Sequence, residues 1–160
     1  MPVQYGGMGR LWRKLGSLAF WVCWPLLYLY LRFSRRTRIL VVLGDEVLMT
    51  KGWLGPDEWS LPGGGLHYKE APAKGAAREL FEETGLRVDP AKLKPLTSDP
   101  ANLHGLRFFS YSFVVEFRVR PKLVNQRAEI TDSRWMSGKD LLSETISPEV
   151  RPLLKQYFNV

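Results

Sequence analysis

The chain has 160 residues, enough for one domain with its own core. Its 45% hydrophobic and 24% charged content excludes an intrinsically disordered chain, and a single cysteine, Cys23, excludes an intrachain disulfide or a cysteine metal cluster. The net charge of +7 is carried entirely by residues 1–38, which hold seven basic residues and no acidic one; a nucleic-acid-binding domain normally carries its own basic excess, so nucleic acid is not the expected partner.

In chain order, the first feature is an uncharged run of 17 residues, Leu15 to Leu31. Arg10, Arg13 and Lys14 precede it; Arg32, Arg35, Arg36 and Arg38 follow it. As a helix the run would be about 25 Å long, the short end of what crosses a hydrocarbon core. No polar stripe appears on a helical wheel, which disfavours an amphipathic surface helix. Trp21, Trp24, Tyr28 and Tyr30 suit an interfacial position, and Pro25 can kink the segment. The basic flanks fit attraction to anionic head groups. The run is expected to be a membrane anchor, single-pass or monotopic, over residues 1–35, leaving residues 36–160 as the folded domain. A helix buried on that domain is the alternative. A signal peptide is disfavoured because no small-x-small cleavage site follows. On the anchor reading, a chain beginning near Ser34 stays soluble and active.

Arg38 to Leu43 is a β-branched and aliphatic strand, Gly44-Asp45 a two-residue hairpin turn, and Glu46 to Lys51 the returning strand. Trp59-Ser60-Leu61-Pro62-Gly63-Gly64-Gly65 can turn sharply and bring bare backbone close to a ligand. A helix follows. Pro72 fits its first turn and Gly85 its left-handed stop. Ala73, Ala76, Ala77, Leu80 and Phe81 recur at core-facing spacing. Gly75 weakens this helix by about 1 kcal/mol relative to Ala, with no packing reason visible in the sequence. Glu79, Glu82 and Glu83 stand at i, i+3 and i+4, so three carboxylates leave one side of the helix. Like charges at these spacings destabilise a helix by roughly 0.2–0.5 kcal/mol per pair, and a cation between them reverses the sign. Oxygen donors of this kind suit Mg²⁺, with Mn²⁺ also possible. Arg78, four residues before Glu82, can pair with it.

Downstream, Leu106 to Val119 reads as a long strand with partial alternation, and Arg134 to Met136 as a short one. Gly138 to Ser143 reads as a helical turn and Pro148 to Phe158 as a closing helix. The fold class is therefore α/β (α+β), a mixed sheet between helices, preceded by an N-terminal hydrophobic helix. His67 and His104, the two histidines, both read as loop residues. Neither pairs with a serine or cysteine in a nucleophilic pattern.

Gly64, Glu70, Arg78-Glu79-Leu80, Glu82-Glu83 and Gly85-Leu86 together resemble the Nudix box at every defined position. Trp59 to Gly64 is similar to the strand and turn that lead into that box. Glu129-Ile130 with Ser133 to Met136 resembles a later segment from which a further glutamate returns to the site. The resemblance covers roughly residues 36–158. It implies hydrolysis of a diphosphate linkage, usually in a nucleoside diphosphate derivative, with divalent metal neutralising the phosphates. It makes Glu79, Glu82, Glu83 and the carbonyl of Gly64 metal ligands, and Arg78 with Glu70 the pair that braces the box. The general base varies within the family; Glu82, Glu83 and Glu129 are all candidates.

For the substrate, Pro62-Gly63-Gly64 departs from the Pro-Gln-Gly-Gly of RNA 5′-end pyrophosphohydrolases. The upstream motif of the coenzyme A type and the proline-rich element of some dinucleotide-cleaving members are absent. A nucleoside triphosphate, a nucleotide sugar or an ADP-ribose-like molecule remains. Trp53, Phe108 and Tyr111 are aromatic candidates for stacking on a base. Such a substrate and Mg²⁺ place the catalytic domain on the cytoplasmic side of a membrane; a soluble cytoplasmic protein is the alternative. The competing class, a non-catalytic nucleotide-binding module with the same fold, would fit a degraded box better than this intact one.

Overall fold

The structure, a computed structural model, describes residues 7–124 and 129–158. Its elements are helix α1 (Gly7–Leu31), strands β1 (Arg35–Leu43) and β2 (Glu46–Gly52), helix α2 (Pro72–Thr84), strands β3 (Lys94–Leu103), β4 (Leu106–Glu116) and β5 (Ile130–Ser137), and helices α3 (Gly138–Ser143) and α4 (Arg151–Phe158). The five strands form one sheet in the order β3-β4-β1-β2-β5. β1 and β4 run parallel; the other three pairings are antiparallel, so the sheet is mixed, as the sequence predicts.

The period of two along β1 sorts its residues between two cores. Ile39 and Val41 pack with Leu48, Ala76 and Leu80 under α2. Leu40 and Val42 pack with Met49, Trp59, Leu141 and Leu154 under α3 and α4. Each helix thus covers one face of the sheet. The Gly44-Asp45 turn pairs Leu43 with Glu46 as the hairpin reading requires. After that turn β1 and β2 diverge, and the segment Ser60 to Gly65 fills the gap between them. Thr37 N–H donates to the Gly64 carbonyl at 2.8 Å, Ile39 N–H to Pro62 at 2.9 Å, and Thr50 pairs with Ser60. This wedge carries the chain to α2 and fixes where its carboxylates sit.

Three expectations change. β3 carries no strand pattern in its sequence: it is Lys-Pro-Leu-Thr-Ser-Asp-Pro-Ala-Asn-Leu, mostly exposed. It survives as the sheet edge, where Pro95 and Pro100 forfeit no ladder that a further neighbour needs. β4 ends at Glu116, not Val119. Arg36 and Arg38, read as part of a membrane flank, lie in β1, and Arg38 is 7% exposed.

Helix α1 is longer than the uncharged run within it, and it packs on the domain along a single stripe. Gly16, Phe20, Trp24, Leu27 and Leu31, spaced at three and four residues, are among its covered positions. Phe20 and Leu31 bury themselves against Leu106 at the β3–β4 turn, with Trp24 and Leu27 beside them. Trp24 Nε1 donates to the His104 carbonyl at 3.3 Å. Gly16 is required there: a Cβ would lie 1.8 Å from the carbonyl oxygen of Trp53. Another face of the helix stays open. Leu18, Val22, Leu26 and Leu29 are between 62% and 72% exposed, and Cys23 is exposed with them. The Lys14–Leu31 window is long and apolar enough to cross a membrane by length and composition.

Candidate active site

The centre of the site is Arg78, which α2 holds between the box glutamates and the Gly-rich wedge. Its guanidinium grips Glu70 with two bonds, Nε to Oε1 at 3.0 Å and Nη2 to Oε2 at 2.9 Å. It also donates to the Gly65 carbonyl at 2.9 Å, to Glu79 at 2.7 Å and to Glu82 at 3.0 Å. A planar five-donor fork can serve all four acceptors at once, which a lysine cannot. The side-chain bond to Arg78 is the main reason the Glu70 carboxyl falls to about 2, helped by the His67 N–H that Glu70 accepts at 2.9 Å. The same bond raises the Arg78 pKa, so the brace stays charged. Gly75 acquires its reason here. A Cβ at that position would lie 2.2 Å from the Leu66 side chain and 2.9 Å from Glu70, so only glycine lets the loop close onto the helix.

Arg78→Lys should therefore lower stability and turnover together. The variant gives up most of four charge-assisted contacts worth about 1.5–3 kcal/mol each, and an ammonium recovers one or two of them. A fall of about 2–4 kcal/mol in unfolding free energy is expected by denaturant titration. An unchanged denaturation midpoint with abolished turnover would contradict the bracing role and put Arg78 on the substrate instead.

Glu83, one residue beyond Glu82, lines a cleft of about 370 Å³. Its Oε2 accepts the Gly63 N–H at 2.9 Å. Gly63 has φ 144° and lies so close to β1 that a Cβ would meet the Thr37 carbonyl oxygen at 2.1 Å. Desolvation pushes the Glu83 carboxyl up to about 7, against the opposing pull of the Gly63 N–H and Arg38. Arg36, Arg38, Ser60, Glu129 and Glu149 line the same cleft. Arg38 donates from Nε to Glu149 at 3.0 Å and from Nη1 to the Gly63 carbonyl at 2.9 Å. Arg38 Nη2 also donates to Glu149, and Ser60 Oγ adds a third bond to it at 3.2 Å. Desolvation, then repulsion from Arg38, lowers the Arg36 pKa, while Glu149, Glu79 and Glu83 oppose the shift.

The structure brings Glu83 and Glu129 into one cleft and groups Glu79 and Glu82 with Arg78 beside it. Gly64 sits in the wedge with its carbonyl engaged by Thr37. Of the three aromatic candidates for base stacking, Trp53 lines the cleft, whereas Phe108 is buried and Tyr111 packs against the α2 core. His104 pairs with Glu58 at 3.0 Å on the cleft rim. Sequence reasoning missed Arg36, Arg38 and Glu149. The partners of the Arg38–Glu149 pair are 111 residues apart, and no local pattern links them.

Among the described residues, no three acidic or histidine side chains converge in this conformation on a point that could hold a metal ion. Arg78 engages Glu79 and Glu82, and Glu83 accepts the Gly63 N–H instead. The donor chemistry still fits a hard divalent ion. It is all carboxylate oxygen on one helix face, and a carboxyl pushed up to about 7 is one whose ionised form a cation would stabilise.

The family model described as NUDIX domain matches residues 33–157. The chain belongs to this family. Solved structures share the NUDIX fold at low identity. The bifunctional NMN adenylyltransferase/ADP ribose pyrophosphatase of Francisella tularensis, complexed with AMP and a manganese ion, superposes with a TM-score of 0.69 at 21% identity, over 88% of this chain and 47% of that one. The MutT NUDIX hydrolase of Burkholderia pseudomallei gives 0.69 at 18% identity, over 79% and 98%. Among curated relatives, diphosphoinositol polyphosphate phosphohydrolase 2 of Rattus norvegicus is 46% identical over 43 residues, 27% of this chain and 24% of that protein. The chain thus matches about a quarter of the length of such relatives. α1 lies outside the family match altogether.

Proposed function

We propose that this NUDIX protein hydrolyses a diphosphate linkage in a nucleoside diphosphate derivative, with a divalent metal ion, while α1 holds it at a membrane. One observation carries the catalytic reading: an intact carboxylate face on α2, braced by Arg78, opens beside a cleft that also holds Arg36 and Glu129. Glu79, Glu82 and Glu83 would hold Mg²⁺ or Mn²⁺, with the Gly64 carbonyl as a further donor. Bound there, the ion would neutralise phosphate oxygens and acidify water. The chain's own residues do the rest. Arg36 sets a positive charge where the substrate phosphates enter. Arg38, fixed by Glu149, holds Gly63 in place. Glu129, which lines the same cleft, is a candidate with Glu82 and Glu83 to take the proton from an attacking water. The water oxygen bonds to phosphorus, the bridging phosphorus–oxygen bond breaks, and the leaving phosphate departs as an anion. The deciding experiment measures phosphate and nucleotide release from nucleoside triphosphates, nucleotide sugars and ADP-ribose with Mg²⁺ and Mn²⁺. No release from any of them, or full release in excess chelator, defeats the reading.

Metal binding should also be linked to a proton. A Glu83 carboxyl near pH 7 in the folded protein, against an ordinary value near 4.5, keeps a proton that the unfolded chain loses between those limits. The metal-free protein therefore loses stability as pH rises through that window. An ion must displace this proton, so its affinity rises with pH until Glu83 is ionised. Calorimetric titration of the full-length protein with Mn²⁺ should show about tenfold weaker binding at pH 6 than at pH 8. Equal affinity at both values would remove Glu83 from the ion's shell.

The membrane reading rests on the open face of α1. A contiguous apolar strip of this kind on a soluble protein is a site that something covers. Basic residues stand on both sides of its uncharged run, and burial of apolar surface is insensitive to salt. The full-length protein should stay with membranes through a high-salt wash. Its release by salt alone would leave only the basic residues as the binding element.

A further inference from the structure

Helix α1 carries two stripes on nearly opposite sides. Leu11, Leu15, Leu18, Val22, Leu26 and Leu29 are all exposed. At 3.6 residues per turn they fall within about 80° of arc, and the covered stripe from Gly16 to Leu31 is centred about 160° away. Exposed Lys14 and Trp21 border the open stripe on one side and Tyr30 on the other. The covered stripe runs from Gly16 on the Trp53 backbone to Leu31 against Leu106, about 22 Å of helix. Crossing a bilayer would drag the domain's polar surface into hydrocarbon along that length. The link to β1 is only Arg32 to Ser34, tied back by the Ser34 N–H to the Leu31 carbonyl at 2.9 Å, so the domain has no slack to swing clear. The missing polar face, which disfavours a free helix at an interface, is thereby explained: the domain covers the side that would meet water. At its C-terminal end the open stripe continues onto the domain. Leu29 and Tyr30 share a groove of about 630 Å³ with Phe33, Arg35 and the box loop Leu66 to Lys69. Phe33 is 80% exposed and Tyr68 89%. The charged side chains of this groove, Arg35 and Lys69, are both basic and both exposed. The loop is held in place: Leu66 N–H donates to the Arg35 carbonyl at 2.8 Å, and Glu70 N–H closes the turn onto the His67 carbonyl at 3.1 Å. Lys69 Nζ stands 5.2 Å from the centre of the Tyr68 ring, so a cation and an aromatic are presented together.

We propose that α1 lies in the plane of an anionic bilayer, not across it, and that the box loop, through Tyr68 and Lys69 with Phe33 and Arg35 beside them, is a second contact with the lipid head groups. This rests on the membrane reading above and deepens it. The open stripe sits about 5–10 Å into the boundary between head groups and acyl chains. Trp21, Tyr30, Phe33 and Tyr68 lie at head-group level, where amphipathic rings are favoured, and Arg35 and Lys69 meet the lipid phosphates. The stripe alone would let the domain roll about the helix axis. A contact off that axis fixes the roll, and with it the direction in which the catalytic cleft opens.

The test uses the full-length protein on phosphatidylglycerol vesicles, with Cys23→Ser as background and one fluorophore-labelled cysteine at a time from Leu15→Cys, Val22→Cys, Leu29→Cys or Tyr68→Cys. The vesicles carry a quenching lipid with its spin label either near the head group or at the chain end. All four positions should be quenched more by the shallow label, by about twofold or more. Stronger quenching of Val22→Cys by the chain-end label, with Leu15→Cys and Leu29→Cys shallow, is the pattern of a span; it overturns the in-plane helix and leaves the membrane reading standing. A Tyr68→Cys label that neither lipid quenches overturns the second contact. Charge gives an independent check by distribution between phosphatidylglycerol and phosphatidylcholine vesicles. Arg35→Gln and Lys69→Gly should each cut the preference for the anionic vesicles by about fivefold. Glycine suits the φ of 58° at position 69, so that variant keeps the turn. An unchanged preference in both variants removes the head-group contact. A full-length protein that associates with neither vesicle, or that is a soluble dimer without detergent, gives the open stripe to a second copy, and the membrane reading fails with the proposal.

Discussion

Glu83→Gln should lower turnover by about a hundredfold or more on any diphosphate the protein cleaves, the scale of a lost electrostatic contribution at a phosphate-transfer site. The substitution keeps shape and removes charge and ligand strength. Its amide can still accept the Gly63 N–H that the carboxylate accepts at 2.9 Å, so the wedge stays in place. The fold should gain slightly, because a buried carboxyl that resists ionisation is replaced by a neutral group. Glu82→Gln should lose activity on a similar scale, while its amide oxygen remains available to Arg78. Steady-state kinetics and far-ultraviolet circular dichroism on the same preparations check both halves. Undiminished turnover in the two variants would end the assignment of the α2 face to the chemistry.

Deleting residues 1–33 should destabilise the domain and, on the membrane proposal, also release it from membranes. The deletion uncovers Leu106, which is fully buried, and removes Phe20 and Leu31, both nearly so. Burial of two such side chains is worth about 3–6 kcal/mol. For a domain of this size that corresponds to a melting temperature lower by about 10 °C. The sequence alone leads to the other expectation, a truncated chain that is soluble and retains activity. Thermal unfolding of both forms in the same detergent decides the matter. A truncation that melts with the full-length protein and retains its KM would show that α1 is a tether and nothing more.

The readable parts of this protein are those whose information is local. Glu79, Glu82 and Glu83 are legible because 3.6 residues per turn puts them on one side of α2 wherever that helix lies. The Arg78–Glu82 pair follows from the same rule, and it forms at 3.0 Å. Gly85 marks the end of α2 with φ 74°. β1 is legible from its aliphatic run, and the Gly44-Asp45 turn fixes the register of its hairpin. β3 is not legible, since an edge strand needs neither an apolar face nor every backbone donor, and its residues read as loop.

Arg36 and Arg38 show why local reading stops. In sequence they extend a basic cluster beside an apolar run, and that context says membrane. In the fold they belong to β1, and the wedge Ser60 to Gly65 brings Gly63 and Glu83 to them, with Glu149 arriving from the turn before α4. Their meaning is set by neighbours 25 and 111 residues away. The same holds for α1. Its apolarity could be read from the residues, but apolarity is non-directional: it requires burial without naming the surface that supplies it. The sequence by itself determined the NUDIX family, the mixed sheet between helices and the carboxylate face. Only the tertiary structure decided which arginines line the cleft, which carboxylates share it, and that one stripe of α1 packs on the domain while the other faces stay open. Those outcomes depend on contacts between distant segments, and such contacts exist only once the chain has folded.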